Sequence, residues 1–217
     1  MKRKTRKNFY IAVFALVAFI FWTIAVKIID VRPIGPDASS VGFATINSFV
    51  HNLTGVHMSL YTLTDWLSLV PVGFVAIFGI LGFIQLIKRK KLLNVDCDIL
   101  ILGCFYIAVI MIYVLFEIVI VNYRPVLING ILEASYPSST TMLVMCIMPT
   151  TIMQFNRRIK NIRLKGIVSF ILYFFTVFMV IGRLVSGVHW FSDIIGGALL
   201  SIGLVMLYKT FLSLKTE

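Results

Sequence analysis

The chain has 217 residues, of which 59% are hydrophobic and only 13% are charged, and its mean hydropathy is +0.98. A soluble domain of this length could not bury so much apolar surface, so the composition indicates an integral membrane protein. The net charge of +11 would suit a nucleic-acid-binding protein. The basic residues, however, lie at the ends of apolar stretches, which indicates membrane orientation and no nucleic-acid partner.

Six stretches of roughly 18–23 residues are apolar enough to cross a bilayer. They cover residues 9–29, 66–87, 99–121, 138–155, 167–187 and 194–212. The first is too long for a cleaved signal peptide, so we interpret it as a retained anchor. No repeat or linker suggests a second domain. We therefore expect one all-α membrane domain over residues 1–217, a polytopic bundle of six transmembrane helices.

The segment between the first two spans combines an irregular part with a helical one. Residues 31–42 are rich in Pro, Gly and Ser, which excludes a continuous helix there. Residues 43–53 have apolar side chains at helical spacing, and we expect a short helix at the outer membrane interface. The histidines of this segment, His51 and His57, are expected to be ordinary interfacial or solvated side chains.

The distribution of basic residues predicts the orientation in the membrane. Sixteen of the twenty Lys and Arg residues lie on one predicted side. They belong to the amino-terminal tail, the loops at 88–91 and 157–165, and the carboxyl end. The positive-inside rule therefore places both termini of a multi-pass cell-membrane protein in the cytoplasm. Arg124, Arg183 and His189 then face the outside.

Three ionisable residues interrupt the apolar sequence at the junction of the fifth and sixth spans: Arg183, His189 and Asp193. Charged groups at membrane depth are costly and are therefore functional candidates. His189 and Asp193 are one helical turn apart, so the carboxylate can orient the imidazole. Arg183 supplies a positive charge that matches phosphate oxygens bidentately. This combination suits nucleophilic attack on a phosphate ester.

Two further segments are predicted to reach the same outer side. Residues 117–125 include Glu117, Arg124 and Pro125 at the end of the third span. Residues 136–141 place a proline and four hydroxyl residues at the start of the fourth span. Hydroxyls and backbone N–H groups at the positive end of a helix dipole can bind an anion. Hydroxyl residues there can also be ordinary helix caps, and an isolated interfacial Arg can be a simple anchor.

Together these segments resemble the type 2 phosphatidic acid phosphatase superfamily, which also contains the vanadium haloperoxidases. The pattern of that family is Lys-x6-Arg-Pro, then Pro-Ser-Gly-His, then Ser-Arg-x5-His-x3-Asp. The chain retains Arg124-Pro125, Pro137-Ser138 and Arg183-x5-His189-x3-Asp193 in the same order. The motifs lie within residues 117–193.

The resemblance implies the fold of the membrane lipid phosphatases and a role for each matching residue. His189 would be the nucleophile that forms a phosphohistidine, and Asp193 would set its tautomer. The implied phosphate-binding set is Arg124, Arg183, Ser138, Ser139 and Thr140. The implied chemistry needs no metal and no cofactor. The implied substrates are lipid phosphates or diphosphates of the phosphatidic acid, phosphatidylglycerol phosphate or polyprenyl diphosphate type.

Four positions depart from the family pattern. Glu117 replaces its Lys, Ser139 its Gly, Thr140 its first His, and Gly182 the Ser before Arg183. In the family that His is the general acid, and its loss removes a factor of about 10²–10⁴ in rate.

Two explanations stay open for the missing acid. Glu117 is protonated at membrane depth and serves as the catalytic donor, or the substrate is a diphosphate whose leaving group needs less protonation. Glu133, His51 and His57 are weaker candidates for the acid.

Two other functions also stay open. A degenerate relative would bind or transport lipid phosphates without cleaving them, and the loss of the Lys and the first His favours this alternative. Retention of His189 and Asp193 favours hydrolysis, because binding alone needs no oriented nucleophile. A purely structural membrane protein would leave the polar groups of all three motifs unexplained. The sequence determines neither the particular lipid nor the oligomeric state.

The predicted orientation is tested with reporters fused to the chain. Green fluorescent protein at the carboxyl end is expected to fluoresce, because that end is predicted to be cytoplasmic. Alkaline phosphatase inserted after Gly55 is expected to be active, because that segment is predicted to lie outside. The opposite pair of results would contradict the orientation.

Overall fold

The structure is a computed structural model that describes residues 3–215, so Lys2 of the basic tail lies outside the described residues. Within this range the chain forms eight α-helices and no β-strand, which confirms the all-α fold class. The helices are α1 (Arg3–Ile28), α2 (Ala44–Thr54), α3 (Met58–Leu67), α4 (Leu69–Arg89), α5 (Cys97–Ile118), α6 (Ser139–Arg158), α7 (Ile162–Val185) and α8 (Phe191–Leu214).

Five helical segments in residues 3–215 are long and apolar enough to cross a membrane: α1, α3 with α4, α5, α7 and α8. They correspond to five of the six predicted spans, and the chain is a multi-pass membrane protein. Helix α6, the predicted fourth span, is less apolar because much of it is buried among the other helices. Its polar groups bond within the protein: Gln154 Nε2, for example, lies 2.6 Å from the Tyr208 hydroxyl.

Helix α8 occupies the centre of the bundle, where it packs against α1 and α6. Two of its glycines permit close approaches. A Cβ atom on Gly203 would lie 2.6 Å from the Leu16 side chain of α1, and one on Gly196 would lie 2.5 Å from the Tyr136 ring. The absence of side chains at these positions brings α1 and the residues that precede α6 against α8.

The loop between α5 and α6 is more ordered than the sequence suggested. Helix α5 ends at Ile118 rather than at 121, and residues 119–138 fold back on themselves. The N–H of Arg124 donates to the Glu133 carbonyl at 3.0 Å, and the N–H of Ser135 donates to the Asn122 carbonyl at 2.9 Å. This antiparallel pairing places Arg124 and Ser135 on neighbouring segments of the loop.

The segment before α3 covers the turn between α7 and α8. The predicted short helix is present as α2, and residues 31–42 contain only one short 3₁₀ turn. Asn47 of α2 bonds to Ser192, with its Nδ2 2.9 Å from the Ser192 hydroxyl and its Oδ1 3.0 Å from the Ser192 nitrogen. The N–H of His57 donates to the Ser186 carbonyl at 3.0 Å. The segment thus holds the turn that contains His189.

Candidate active site

His189 lies in the turn between α7 and α8 and is only 3% exposed. Its Nδ1 is 3.1 Å from the Ser135 carbonyl oxygen. Because a carbonyl can only accept, we assign the ring hydrogen to Nδ1, which leaves a lone pair on Nε2. Nε2 is buried and has no hydrogen-bond partner among residues 3–215. An imidazole in this state has the free lone pair that nucleophilic attack requires.

Asp193 lies behind His189 and is completely buried. Its carboxylate accepts hydrogen bonds from the Trp190 N–H at 2.9 Å, from the Asn122 amide at 3.3 Å and from the Ser135 hydroxyl. Such donors are necessary because a buried carboxylate without partners is strongly unfavourable. The carboxylate also lies in the first turn of α8, where the helix dipole favours negative charge.

The electrostatic environment keeps His189 neutral. Burial lowers the pKa of the His189 ring to about 4. The positive charges of Arg124 and Arg183 contribute to this lowered pKa, whereas Asp193 opposes it. The ring is therefore unprotonated at Nε2 near neutral pH.

Arg183 and Arg124 present two buried guanidinium groups to a cavity of about 580 Å³. Arg183 is 2% exposed; its guanidinium lies 4.7 Å from the centre of the Tyr61 ring, and its Nη1 donates to the Thr64 hydroxyl at 3.3 Å. Arg124 Nε is 3.0 Å from the Glu133 carboxylate, in an ion pair that lacks hydrogen-bond alignment.

Both guanidinium groups retain unused hydrogen-bond donors. Arg124 Nη1 and Arg183 Nε are buried without a hydrogen-bond partner among the described residues. Buried polar groups are nearly always paired, and guanidinium N–H groups match the oxygens of carboxylates and phosphates. This cavity is therefore suited to an oxyanion.

The large cavity contains five of the eight predicted site residues, namely Glu117, Arg124, Ser139, Thr140 and Arg183. A smaller cavity of about 10 Å³ adjoins it and is lined by His189. Glu117 and Ser139 line both cavities. The candidate nucleophile and the two arginines therefore face neighbouring spaces, with Glu117 at the boundary between them.

Ser138 has a different location from the other predicted phosphate ligands. Its hydroxyl caps α6 by accepting from the Thr141 N–H at 3.4 Å. Its own N–H donates to the Asp193 carbonyl at 3.1 Å. It lines neither of the two cavities. In this structure Ser138 begins α6 and fixes it to α8, whereas phosphate binding by Ser138 stays a prediction.

Several residues of the site were not identified from the sequence. Asn122 and Ser135 contact Asp193, while Tyr61 and Thr64 contact Arg183. A signal existed for the first two, because Asn122 lies within the motif segment 117–125 and Ser135 directly precedes the segment 136–141. No local signal existed for the α3 residues, because Thr64 lies 119 residues before Arg183.

The weaker candidates for a catalytic acid lie in different places. The His51 ring packs on Trp190 with centroids 5.4 Å apart, and the His57 ring contacts the Thr54 carbonyl at 2.9 Å. Neither histidine lines the two cavities, whereas Glu133 lines the larger one. Within residues 3–215 no group of three or more His, Cys, Asp and Glu side chains is arranged to hold a metal ion.

A family model matches the sequence of this chain, and a solved structure matches its fold. The family model described as PAP2 superfamily matches residues 72–217. The crystal structure of a transmembrane PAP2 type phosphatidylglycerolphosphate phosphatase from Bacillus subtilis is similar, with a TM-score of 0.68 and 18% sequence identity. The similarity covers 96% of this chain and 98% of that chain. No curated protein matches the sequence.

The lowered pKa of His189 predicts how stability depends on pH. An unfolded His has a pKa of about 6.5, so between pH 6.5 and about 4 the unfolded state binds more protons than the folded state. Stability is therefore expected to fall as pH is lowered through this window. Between pH 7 and pH 5 the Tm in detergent should fall about 5 °C further for wild type than for His189→Gln.

The exposed His57 supplies the matched control. His57→Gln should follow the wild-type dependence of Tm on pH, because that ring is not buried in the folded protein. Parallel curves for wild type and His189→Gln would contradict the assignment of a neutral, buried imidazole.

Proposed function

Because this chain belongs to the PAP2 superfamily, we propose that it is an integral membrane phosphatase that hydrolyses a lipid phosphate or lipid diphosphate. The observation that carries the proposal is the free Nε2 of His189, whose cavity adjoins the cavity lined by two buried guanidinium groups with unused N–H donors. A nucleophile and an oxyanion site in adjoining cavities are the two elements that phosphoryl transfer requires.

The first step is transfer of the phosphoryl group to His189. The Nε2 lone pair forms a bond to phosphorus while the bond from phosphorus to the leaving oxygen breaks. Arg124 and Arg183 bind the non-bridging oxygens, on which negative charge is concentrated. The Ser135 carbonyl and the Asp193 carboxylate stabilise the positive charge that develops on the imidazole.

Glu117 is our proposed general acid. It lines both the cavity of the arginines and the cavity of His189, so it borders the path of the leaving oxygen. In its protonated form it donates to that oxygen. In the second step it accepts a proton from the attacking water, the phosphorus–nitrogen bond breaks, and inorganic phosphate leaves. The diphosphate alternative, in which the leaving group needs less protonation, is separated from this one by experiment.

The apolar part of the large cavity supports a lipid substrate. Side chains of α5, α6 and the intervening loop form this wall: Val109, Ile110, Ile120, Leu132, Met142 and Leu143. A hydrocarbon chain placed there would leave its phosphate near the arginines. Phosphatidic acid, phosphatidylglycerol phosphate and polyprenyl diphosphates all have this combination of groups. With the orientation predicted from the basic residues, the reaction takes place on the outer face of the cell membrane.

A second candidate function is binding or transport of lipid phosphates without cleavage. Thr140 favours it, because this residue lines the cavity where the family pattern has an acidic imidazole. The free Nε2 of His189 favours hydrolysis, since an oxyanion-binding protein has no need of an unprotonated nucleophile.

The two functions are distinguished by phosphate release from purified protein. A panel of phosphatidic acid, phosphatidylglycerol phosphate and undecaprenyl diphosphate in detergent micelles is expected to include at least one substrate. His189→Ala should lower the rate to background, because the phosphoryl acceptor is lost. His57→Ala, at an exposed ring outside both cavities, should retain the rate. Binding without release, equal in wild type and His189→Ala, would support the second function instead.

The role of Glu117 is tested by its replacement with Gln. Glu117→Gln should slow hydrolysis of a monoester by about 10²–10⁴-fold, because the acid is lost. It should also remove the fall of kcat at high pH, the alkaline limb of the pH profile, because that fall reflects deprotonation of the acid. Hydrolysis of a diphosphate should be affected less.

Glu133→Gln makes the same chemical change in the same cavity. It should retain the alkaline limb and alter mainly KM, because it releases Arg124 from its ion pair. An unchanged pH profile in Glu117→Gln would exclude Glu117 as the acid.

A further inference from the structure

We infer that Ser135 is a positioning residue for His189, and that it acts through both its backbone carbonyl and its hydroxyl. The carbonyl fixes the tautomer of the ring, and the hydroxyl connects the ring to Asp193. The inference rests on the proposed function, because it concerns how the nucleophile is oriented.

The hydrogen of His189 Nδ1 has two candidate acceptors, Asp193 and Ser135. The Asp193 carboxylate is 3.8 Å from Nδ1, which is beyond hydrogen-bond distance. The Ser135 carbonyl oxygen is 3.1 Å away, at a normal hydrogen-bond distance. The direct partner of the ring is therefore Ser135, and Asp193 lies one group further away.

The Ser135 hydroxyl lies between the His189 ring and the Asp193 carboxylate. Its oxygen is 3.3 Å from His189 Nδ1 and in close contact with the Asp193 carboxylate. A hydroxyl has one hydrogen, and an ionised carboxylate can only accept. The hydroxyl therefore donates to Asp193 and turns a lone pair toward the Nδ1–H. The ring hydrogen thus meets two oxygens of the same residue, and the carboxylate acts on the ring through one of them.

Ser135 is itself held in place by its neighbours. It is 2% exposed, and its N–H donates to the Asn122 carbonyl at 2.9 Å. The Asn122 side chain also donates to Asp193 at 3.3 Å. Serine and carboxylate are therefore held by the same neighbour, so the distance between them is fixed by the loop at 119–138.

The contacts of Ser135 with the His189 ring become stronger during phosphoryl transfer. When His189 accepts the phosphoryl group, the ring becomes positively charged and Nδ1–H becomes a stronger donor. The two Ser135 oxygens then stabilise the charge directly, and the polarised hydroxyl transmits the negative charge of Asp193. Loss of the hydroxyl should therefore slow the chemical step without affecting substrate binding.

Steady-state kinetics of Ser135 variants test this inference. Ser135→Ala should lower kcat by about 10- to 100-fold, the range for a buried hydrogen bond to a charged group, with little change in KM. Ser135→Thr keeps the hydroxyl and should recover most of the lost kcat. The matched control is Ser201→Ala, which removes another fully buried hydroxyl, one that bonds to the Gly197 carbonyl at 2.7 Å. It should retain kcat.

A double-mutant cycle distinguishes joint action of Ser135 and Asp193 on the His189 ring from a mere loss of packing. If the serine and the carboxylate act on the ring together, Ser135→Ala combined with Asp193→Asn should be no slower than the slower single variant. Wild-type kcat in Ser135→Ala, or losses that multiply in the double variant, would overturn the inference. So would equal losses of kcat and Tm in Ser135→Ala and Ser201→Ala.

The tautomer of His189 tests the inference independently of activity. Replacing His51 and His57 with Gln leaves a single histidine, and ¹⁵N-histidine NMR in detergent then reports which ring nitrogen is protonated. At pH 7 we expect the hydrogen on Nδ1, facing Ser135. A neutral ring protonated at Nε2 would overturn the inference. An absence of phosphate release by wild type would instead count against the proposed function. The NMR measurement would still show which nitrogen of His189 carries the hydrogen.

Discussion

The burial of the Asp193 carboxylate is the constraint on which the site depends. Its donors come from two separate parts of the chain: the turn before α8, through Trp190, and the loop between α5 and α6, through Asn122 and Ser135. A buried carboxylate that lost these partners would cost several kcal/mol. The loop and the turn therefore have to meet when α8 packs, and their meeting places His189 against Ser135.

The two charged parts of the site differ in how many of their polar atoms have hydrogen-bond partners within the protein. Around Asp193 the protein supplies its own donors, so the His189 ring is held in place before any ligand arrives. Around Arg124 and Arg183 it leaves N–H groups without partners. The Tyr61 ring contacts the face of the Arg183 guanidinium, and the Tyr61 carbonyl accepts a hydrogen bond from Nη1 at 3.5 Å, which leaves Nε unused. The unused donors are therefore available to an incoming oxyanion, whose binding would replace solvation that the cavity does not provide.

The sequence predicted those parts of the structure that depend on local pattern. The length of the apolar stretches identified five of the spanning segments. Helix α6 is less apolar than those five because it contains many polar residues. The spacing within 183–193 predicted that His189 and Asp193 lie close together, and their side chains are 3.8 Å apart. The fold of the loop at 119–138 and the contact of α3 with Arg183 could not be predicted, because both depend on partners far apart in sequence. Ser138 illustrates the ambiguity of hydroxyl residues at a helix start, since it acts here as a cap.

The charges of the cavity bear on which phosphates it can accept. Three carboxylates, Asp65, Glu117 and Glu133, line it beside the two arginines. The side chains of Asp65 and Glu133 are 59% and 40% exposed, whereas those of Arg183 and Arg124 are 2% and 10% exposed. Water therefore screens these two acids more than it screens the guanidinium groups, and the positive charges dominate where the phosphate would bind.

An ionised Glu117 would still repel each added negative charge by a few kcal/mol at an effective dielectric constant of about 20. The proposed role of Glu117 as a proton donor would also remove this repulsion, because the donor form of a carboxyl group is uncharged. One proton would then serve both binding and catalysis in a chain that lacks the Lys and the first His of the family pattern.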